Sequence, residues 1–133
     1  GRPKSATFRT FDIVGLDVLA HVAKNIYEAV PEDEERESYR LPEFVGRMVE
    51  RRLLGDKTQG GFYQKRKGEG GQRDIWTLDV ASLEYRPQQK AKLPALDAAK
   101  NIEDTRARIR ALAWGKDRVG AFLWKTMSRV FAY

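Results

Sequence analysis

The sequence predicts a mainly α-helical fold with a small β-hairpin arm and extra helices at its C-terminal end. Apolar residues recur at steps of three and four in both outer parts of the chain, which is the period of an amphipathic helix. Between these parts, glycine-rich turns separate two short segments rich in aromatic and β-branched residues, as in a hairpin. The chain of 133 residues has room for one modest hydrophobic core.

The N-terminal part is predicted to begin with two consecutive helices. Thr7 is a suitable N-cap for the first, and Gly15 can end it. Asp17 is a suitable N-cap for the second, and Pro31 ends that helix because proline cannot continue it. The following stretch, residues 31–38, is charged and lacks apolar residues, which indicates a solvated connection.

A third helix and the hairpin follow. Proline suits a first helical turn, so this helix is expected to start at Pro42 and to end at Gly55. The predicted strands are Phe62–Lys65 and Ile75–Leu78, with a third short strand between Val80 and Tyr85.

The C-terminal part is predicted to be helical after a linker over residues 86–94. One amphipathic segment ends at Trp114-Gly115, and a last helix has an apolar face from Val119 to Phe131 that continues to the chain end without a cap. We therefore expect this face to pack against a part of a larger protein or a second copy of the chain. The predicted domains are residues 1–66, the arm and linker 67–95, and the helices 96–133.

Composition excludes several classes of site. Without cysteine, disulfides, cysteine-bound zinc and thiol catalysis are impossible, and one histidine cannot supply a two-histidine metal site. We therefore expect no metal site. No apolar run reaches the length of a membrane span, and no signal peptide is recognisable, so we expect a cytoplasmic chain. The net charge of +6 suits a polyanionic partner, or only a solvated surface.

No active site is recognisable from the residues themselves. His21 is expected to be a structural, at least partly buried residue, and the acidic run Glu32–Glu37 lacks the apolar surroundings that raise a carboxyl pKa for acid catalysis. The segment Gly55-Asp56-Lys57-Thr58 lacks the glycine spacing of a phosphate loop. Gly68, Gly70 and Gly71 open no helix, so they form no dinucleotide fingerprint. No catalytic residue is expected in this chain.

Two ordered motifs carry more information than composition does. The first, GRPKSATFRTFDIVGLD over residues 1–17, resembles the start of the C-terminal helical domain of 3-hydroxyacyl-CoA dehydrogenases. The second, LGDKTQGGFY over residues 54–63, is similar to the closing signature of that domain. The family usually has glycine directly after its Lys-Thr pair, and here Gln59 stands there. A positive φ at this position would strain Gln59 by about a kcal/mol.

The resemblance implies a helical domain like the C-terminal domain of 6-phosphogluconate dehydrogenase. In the family, a preceding Rossmann domain binds NAD and holds the catalytic His–Glu pair, so this fragment is expected to be inactive and to bind no cofactor itself. Its implied role is to form one wall of the acyl-CoA cleft and to pair as a homo-oligomer or with a second helical repeat. The resemblance also suggests Lys4, Ser5 and Lys57 as substrate contacts, although capping or turn roles remain alternatives.

The rest of the chain is similar to the long bacterial form fused to an enoyl-CoA hydratase, with residues 96–133 leading into a truncated second repeat. The alternative is a stand-alone basic helical module that binds nucleic acid or a protein partner. Against nucleic acid, Arg106, Arg108 and Arg110 alternate and so spread around their helix. We therefore expect no nucleic-acid partner.

Overall fold

The computed structural model describes residues 6–68, 71–89 and 91–132, which fall into two compact units, 1–89 and 90–133. The helices are α1 (Thr7–Val14), α2 (Leu16–Ala29), α3 (Glu43–Glu50), α4 (Pro94–Ala99), α5 (Thr105–Ala113) and α6 (Arg118–Ala132). The strands are β1 (Tyr63–Lys67), β2 (Arg73–Asp79) and β3 (Glu84–Pro87). Short 3-10 turns lie at Arg36–Tyr39 and Asp56–Thr58. The predicted mainly α fold with a β arm is confirmed.

The helix starts differ from the two predicted N-caps. Thr7 is already helical and Ala6 takes the capping position of α1, without a side-chain hydrogen bond. Gly15, at φ 105°, both ends α1 and caps α2, so no position is left for Asp17 as a cap. Asp17 lies instead in the first turn of α2, where a carboxylate is favoured by the helix dipole.

The third helix is shorter than predicted. It ends at Glu50 because Arg52 adopts a left-handed conformation at φ 56°, and the Leu53 N–H then bonds to the Met48 carbonyl at 2.8 Å. Such a bond to a free terminal carbonyl is typical of a helix C-terminus. Leu53 nevertheless still packs against the core.

The core of unit 1–89 joins helices and sheet. Its buried residues come from α2, α3 and the β region, and the largest fully buried apolar side chains are Leu16 and Met48. The core cluster consists of Leu16, Val45, Met48, Phe62, Leu78 and Leu83. The arm is therefore partly built into the hydrophobic core.

The sheet is a three-stranded antiparallel meander in the order β1-β2-β3. Tyr63 pairs with Thr77 and Leu78 with Tyr85, which fixes the register of both strand pairs. The Tyr85 hydroxyl donates to the Gly61 carbonyl at 2.8 Å and anchors the last strand. Burial raises the pKa of Tyr85 to about 12, so it remains a donor at neutral pH.

The second unit contains α4, α5 and α6. The single amphipathic segment predicted up to Trp114 is in fact two helices, because Asp104 adopts an extended conformation and its carboxylate caps α5 through the Ala107 N–H at 2.7 Å. Ile102 keeps the helical spacing of apolar residues across this break, which is why periodicity did not reveal it.

Candidate functional site

A buried carboxylate joins the two sequence motifs. Asp12, on α1, is 1% exposed and accepts the N–H groups of Phe62 at 2.7 Å and Tyr63 at 2.8 Å. Burial raises the pKa of Asp12, and these two hydrogen bonds only partly offset that effect. The sequence reasoning did not single out Asp12, because nothing in the pattern separates a buried carboxylate from an exposed one. We call Asp12 and its two donors the Asp12 junction.

Two glycines allow the backbone to approach Asp12 closely. A Cβ atom on Gly61 would overlap the Asp12 carboxylate, and one on Gly55 would overlap the Asp12 backbone. Gly55 also has φ 112°, a conformation that L side chains rarely adopt. Gly55 and Gly61 of the second motif therefore serve packing against α1.

The loop over residues 55–60 is closed by its own hydrogen bonds. Gly55 and Gly60 exchange backbone hydrogen bonds at 2.8 and 3.0 Å, and the Thr58 hydroxyl donates to the Gly60 carbonyl at 3.0 Å. Gln59 has φ 61° and is left-handed, as expected if this position needs a positive φ. The loop is thus a rigid turn rather than a phosphate loop.

Two ion pairs tie this loop to the helices. Arg9 binds Asp56 through two N–H···O bonds of 2.7 and 2.6 Å, and Lys57 binds both Asp17 oxygens at 2.5 and 2.6 Å. The hydrogen bond from Lys57 lowers the pKa of Asp17, and the one from Arg9 lowers the pKa of Asp56. Both carboxylates therefore remain charged at neutral pH.

The predicted substrate contacts are not brought together by the described residues. Lys57 is half exposed and its ammonium group is engaged by Asp17. Lys4 and Ser5 lie outside the described residues. These three roles stay predictions.

A cleft of about 710 Å³ opens between the start of α1, the 55–60 loop and the sheet. Its lining combines the Arg9–Asp56 pair with Lys65, two amide side chains and the half-exposed Ile75. The residues around it are Ala6, Arg9, Asp56, Gln59, Tyr63, Lys65, Ile75 and Gln88. The cleft was not predicted, because it depends on strand register as well as on residue type.

The remaining candidates have structural or solvent roles. His21 is exposed and hydrogen-bonds Asn25 at 3.1 Å, so the expectation of a partly buried histidine is wrong. Its position on α2 faces away from the buried Leu16 and Ala23. Among the described residues no group of acidic or histidine side chains could hold a metal ion. No helix in the described ranges is long and apolar enough to cross a membrane.

The outer face of α2 is apolar. Val18, Val22 and Ile26 follow each other at helical steps of four and are 42%, 47% and 37% exposed. Ile13 and Val14, at the end of α1, are also exposed. We call Val18, Val22 and Ile26 the α2 stripe.

Unit 90–133 has a groove of about 640 Å³ flanked by two exposed tryptophans, Trp114 and Trp124. Arg110 stacks over the Trp114 ring at 5.3 Å, and Arg108 donates to the Ile102 carbonyl at 2.8 Å through its Nε. Two of the three arginines of α5 are therefore used within the unit.

Comparison with known proteins gives a consistent result. Residues 1–65 match the family described as 3-hydroxyacyl-CoA dehydrogenase, C-terminal domain. A Bacillus subtilis (strain 168) protein named probable 3-hydroxyacyl-CoA dehydrogenase is 46% identical over all 133 residues, which correspond to 16% of its length. A protein of the same name from Deinococcus radiodurans is 48% identical over 69 residues, or 52% of this chain and 19% of its own.

A Rickettsia prowazekii protein, with the name of a fatty acid oxidation complex trifunctional enzyme, is 28% identical over 94 residues. That match covers 70% of this chain and 13% of the relative. The chain thus spans less than a fifth of the length of each of these relatives. No solved structure matches it significantly.

Proposed function

Because residues 1–65 belong to the family of 3-hydroxyacyl-CoA dehydrogenase C-terminal domains, we propose that the chain is a non-catalytic part of an NAD-dependent 3-hydroxyacyl-CoA dehydrogenase of fatty acid β-oxidation. In the whole enzyme it forms one wall of the acyl-CoA cleft. It also pairs with a second helical repeat or a second copy of itself. The proposal places this enzyme in the cytoplasm, with which the cysteine-free sequence is compatible.

The observation that carries the pairing role is the α2 stripe. The inner face of α2 already packs on a closed core through Leu16, so the outer stripe is not needed to fold unit 1–89. Large side chains left exposed in a row on one helix face mark interaction sites. The stripe therefore supports a pairing surface on α2.

The absence of catalysis is supported by the chemistry of the described residues. Their sheet is antiparallel and meandering, whereas dinucleotides bind at the strand ends of parallel sheets with crossover helices. The described residues thus do not fit NAD, and we assign NAD binding to another domain of the enzyme. The one histidine, His21, is exposed and bonded to Asn25 rather than to a carboxylate.

Activity measurements test the non-catalytic role. The 133-residue chain, mixed with NAD and 3-hydroxybutyryl-CoA, is expected to give no NADH absorbance, whereas the whole enzyme gives a steady rate. In the whole enzyme, Lys57→Met is expected to raise the KM for acyl-CoA with little change in kcat. Turnover by the isolated chain would contradict the proposal.

Light scattering after size-exclusion chromatography tests the pairing role. We expect the chain to form a dimer that dissociates on Val22→Glu, because a charge in a buried apolar contact is costly. Lys24→Glu, on the same helix but outside the α2 stripe, is the matched control and should leave the dimer intact. Phe122→Glu tests α6 as the alternative surface. A monomer, or a dimer that only Phe122→Glu dissociates, would exclude the α2 stripe as the surface through which two copies of the chain pair.

A further inference from the structure

One face of the sheet collects positive charge near the hairpin turn. Strand alternation places Lys65 and Lys67 of β1 on the same face as Arg73 and Ile75 of β2, since Lys65 pairs with Ile75 and Lys67 with Arg73. All four side chains are exposed. We call these four residues the basic sheet face.

The basic sheet face contains a repulsive contact. Lys67 and Arg73 lie directly opposite each other across the strands, and like charges in this position destabilise a sheet. The nearest acidic residue in register, Asp74, pairs with Arg66 and so lies on the other face. Within the described parts of the chain, no ion pair involves Lys65, Lys67 or Arg73. A bound anion would relieve this repulsion.

Two other lysines of the chain have close acidic partners. Lys57 pairs with Asp17 at 2.5 Å and Lys100 with Asp97 at 2.8 Å. Charge on those surfaces is locally balanced. Where the cleft meets the sheet, by contrast, Lys65, Lys67 and Arg73 lie close together without such partners among the described residues.

The cleft adds complementary chemistry beside the basic sheet face. Lys65 and Ile75 belong to both. Arg9, also in the cleft, uses two of its five N–H donors on Asp56, which leaves three. With Asp56 balanced by Arg9, Lys65 gives the cleft a net positive charge, while Ile75 and Tyr63 offer apolar surface.

We propose that the cleft and the basic sheet face form a binding site for a ligand that carries a diphosphate next to an apolar or aromatic group. Lys65 and Lys67 are two residues apart on one strand, so their Cα atoms are about 7 Å apart, a spacing that suits two neighbouring phosphates. Ile75 lies beside them and would contact the attached group. The nucleotide end of coenzyme A and a free nucleoside diphosphate both have this chemistry.

Calorimetric titration of the 133-residue chain tests the site with inorganic pyrophosphate as the first probe. Lys65→Met and Lys67→Met keep the side-chain length and remove the charge, and each is expected to weaken pyrophosphate binding about tenfold. Lys24→Met, which removes the same charge from α2, is the control and should leave the affinity unchanged. Circular dichroism confirms that each variant is folded.

Adenosine diphosphate, coenzyme A and pantetheine then separate the sources of the ligand. We expect adenosine diphosphate and coenzyme A to bind more tightly than pyrophosphate. Ile75→Asn is expected to remove this difference in affinity. Pantetheine, which lacks the diphosphate, is expected not to bind. Coenzyme A binding more tightly than adenosine diphosphate supports the coenzyme as the source, and equal affinities support a free nucleotide.

Three results would overturn the site: no binding of millimolar pyrophosphate, an equal loss in Lys24→Met, or tight binding of duplex DNA that pyrophosphate does not displace. The pyrophosphate titration does not depend on the proposed dehydrogenase role. Pyrophosphate binding with an inactive whole enzyme would reject that role and keep the site. An active enzyme that does not bind pyrophosphate would reject the site and keep the dehydrogenase role.

Discussion

The two compact units bury their apolar side chains to very different extents. In unit 1–89, helices and sheet enclose a cluster of six buried apolar residues. In unit 90–133, the buried apolar residues among those described are Ala99 and Val119, while Trp114, Phe122 and Trp124 are more than half exposed. Both units show similar helical periodicity. Periodicity therefore reports that a helix is amphipathic, whereas burial depends on whether another element covers it.

The largest expected effect tests the Asp12 junction that closes unit 1–89. Asp12→Ala leaves the buried N–H group of Phe62 and the partly buried N–H group of Tyr63 without an acceptor, which we expect to cost about 3 kcal/mol of unfolding free energy. Asp97→Ala, in an exposed ion pair of the second unit, should cost no more than about 0.5 kcal/mol. Urea unfolding combined with hydrogen exchange by segment measures each unit. Similar losses of unfolding free energy for the two variants would mean that the Asp12 junction stabilises its unit no more than an exposed ion pair does.

A matched pair of cavity substitutions compares the two cores directly. Met48→Ala removes a fully buried side chain and is expected to cost about 3 kcal/mol, because the surrounding core cannot collapse into the space. Val119→Ala, on the thinly packed α6, should cost about 1 kcal/mol. Hydrogen exchange of α3 and α6 measures both losses. A larger loss at Val119 would mean that the second unit has the stronger core.

The helices of unit 1–89 and its hairpin could be predicted from the sequence, because periodicity and glycine positions are local signals. The Asp12 junction could not, since its donors lie fifty residues further along the chain. The N-cap prediction at Asp17 failed for a related reason, because Gly15 takes the junction between the helices and Lys57, distant in sequence, engages Asp17. The prediction at Thr7 failed because the helix begins one residue earlier than expected, with Ala6 at the capping position. The cleft likewise depends on the register of the paired strands, which the strand propensities of the residues do not determine.

A smaller effect tests the strain in the loop that joins helices and sheet. Gln59→Gly is expected to stabilise unit 1–89 by about 1 kcal/mol, because glycine adopts φ 61° without strain. Gln59→Ala is the control, since alanine keeps the Cβ atom and should give no gain. Thermal unfolding of both variants decides the point. Equal gains would show that the side chain, rather than the backbone conformation, opposes folding.

The smallest expected effect is a pH dependence of unit 1–89. The pKa values of Asp17 and Asp56 are lowered in the folded state, so their contribution is present above the unfolded pKa and is lost as the pH falls through the folded pKa. Asp12, whose pKa is raised, acts in the opposite sense. The double variant Asp17→Asn/Asp56→Asn should therefore lose less stability in acid than the original chain. Urea midpoints from about pH 5 to about pH 2 measure this difference.

The distance along the chain between Asp12 and its donors has a consequence for synthesis on the ribosome. The first three helices leave the exit tunnel before Phe62 and Tyr63 do, and until then the Asp12 carboxylate has neither backbone partner. Closing a loop of this length costs about 3 kcal/mol of chain entropy, which the helices must offset by their own contacts. A nascent chain stalled before residue 62 should thus remain sensitive to protease, and resistance should appear once the hairpin has emerged.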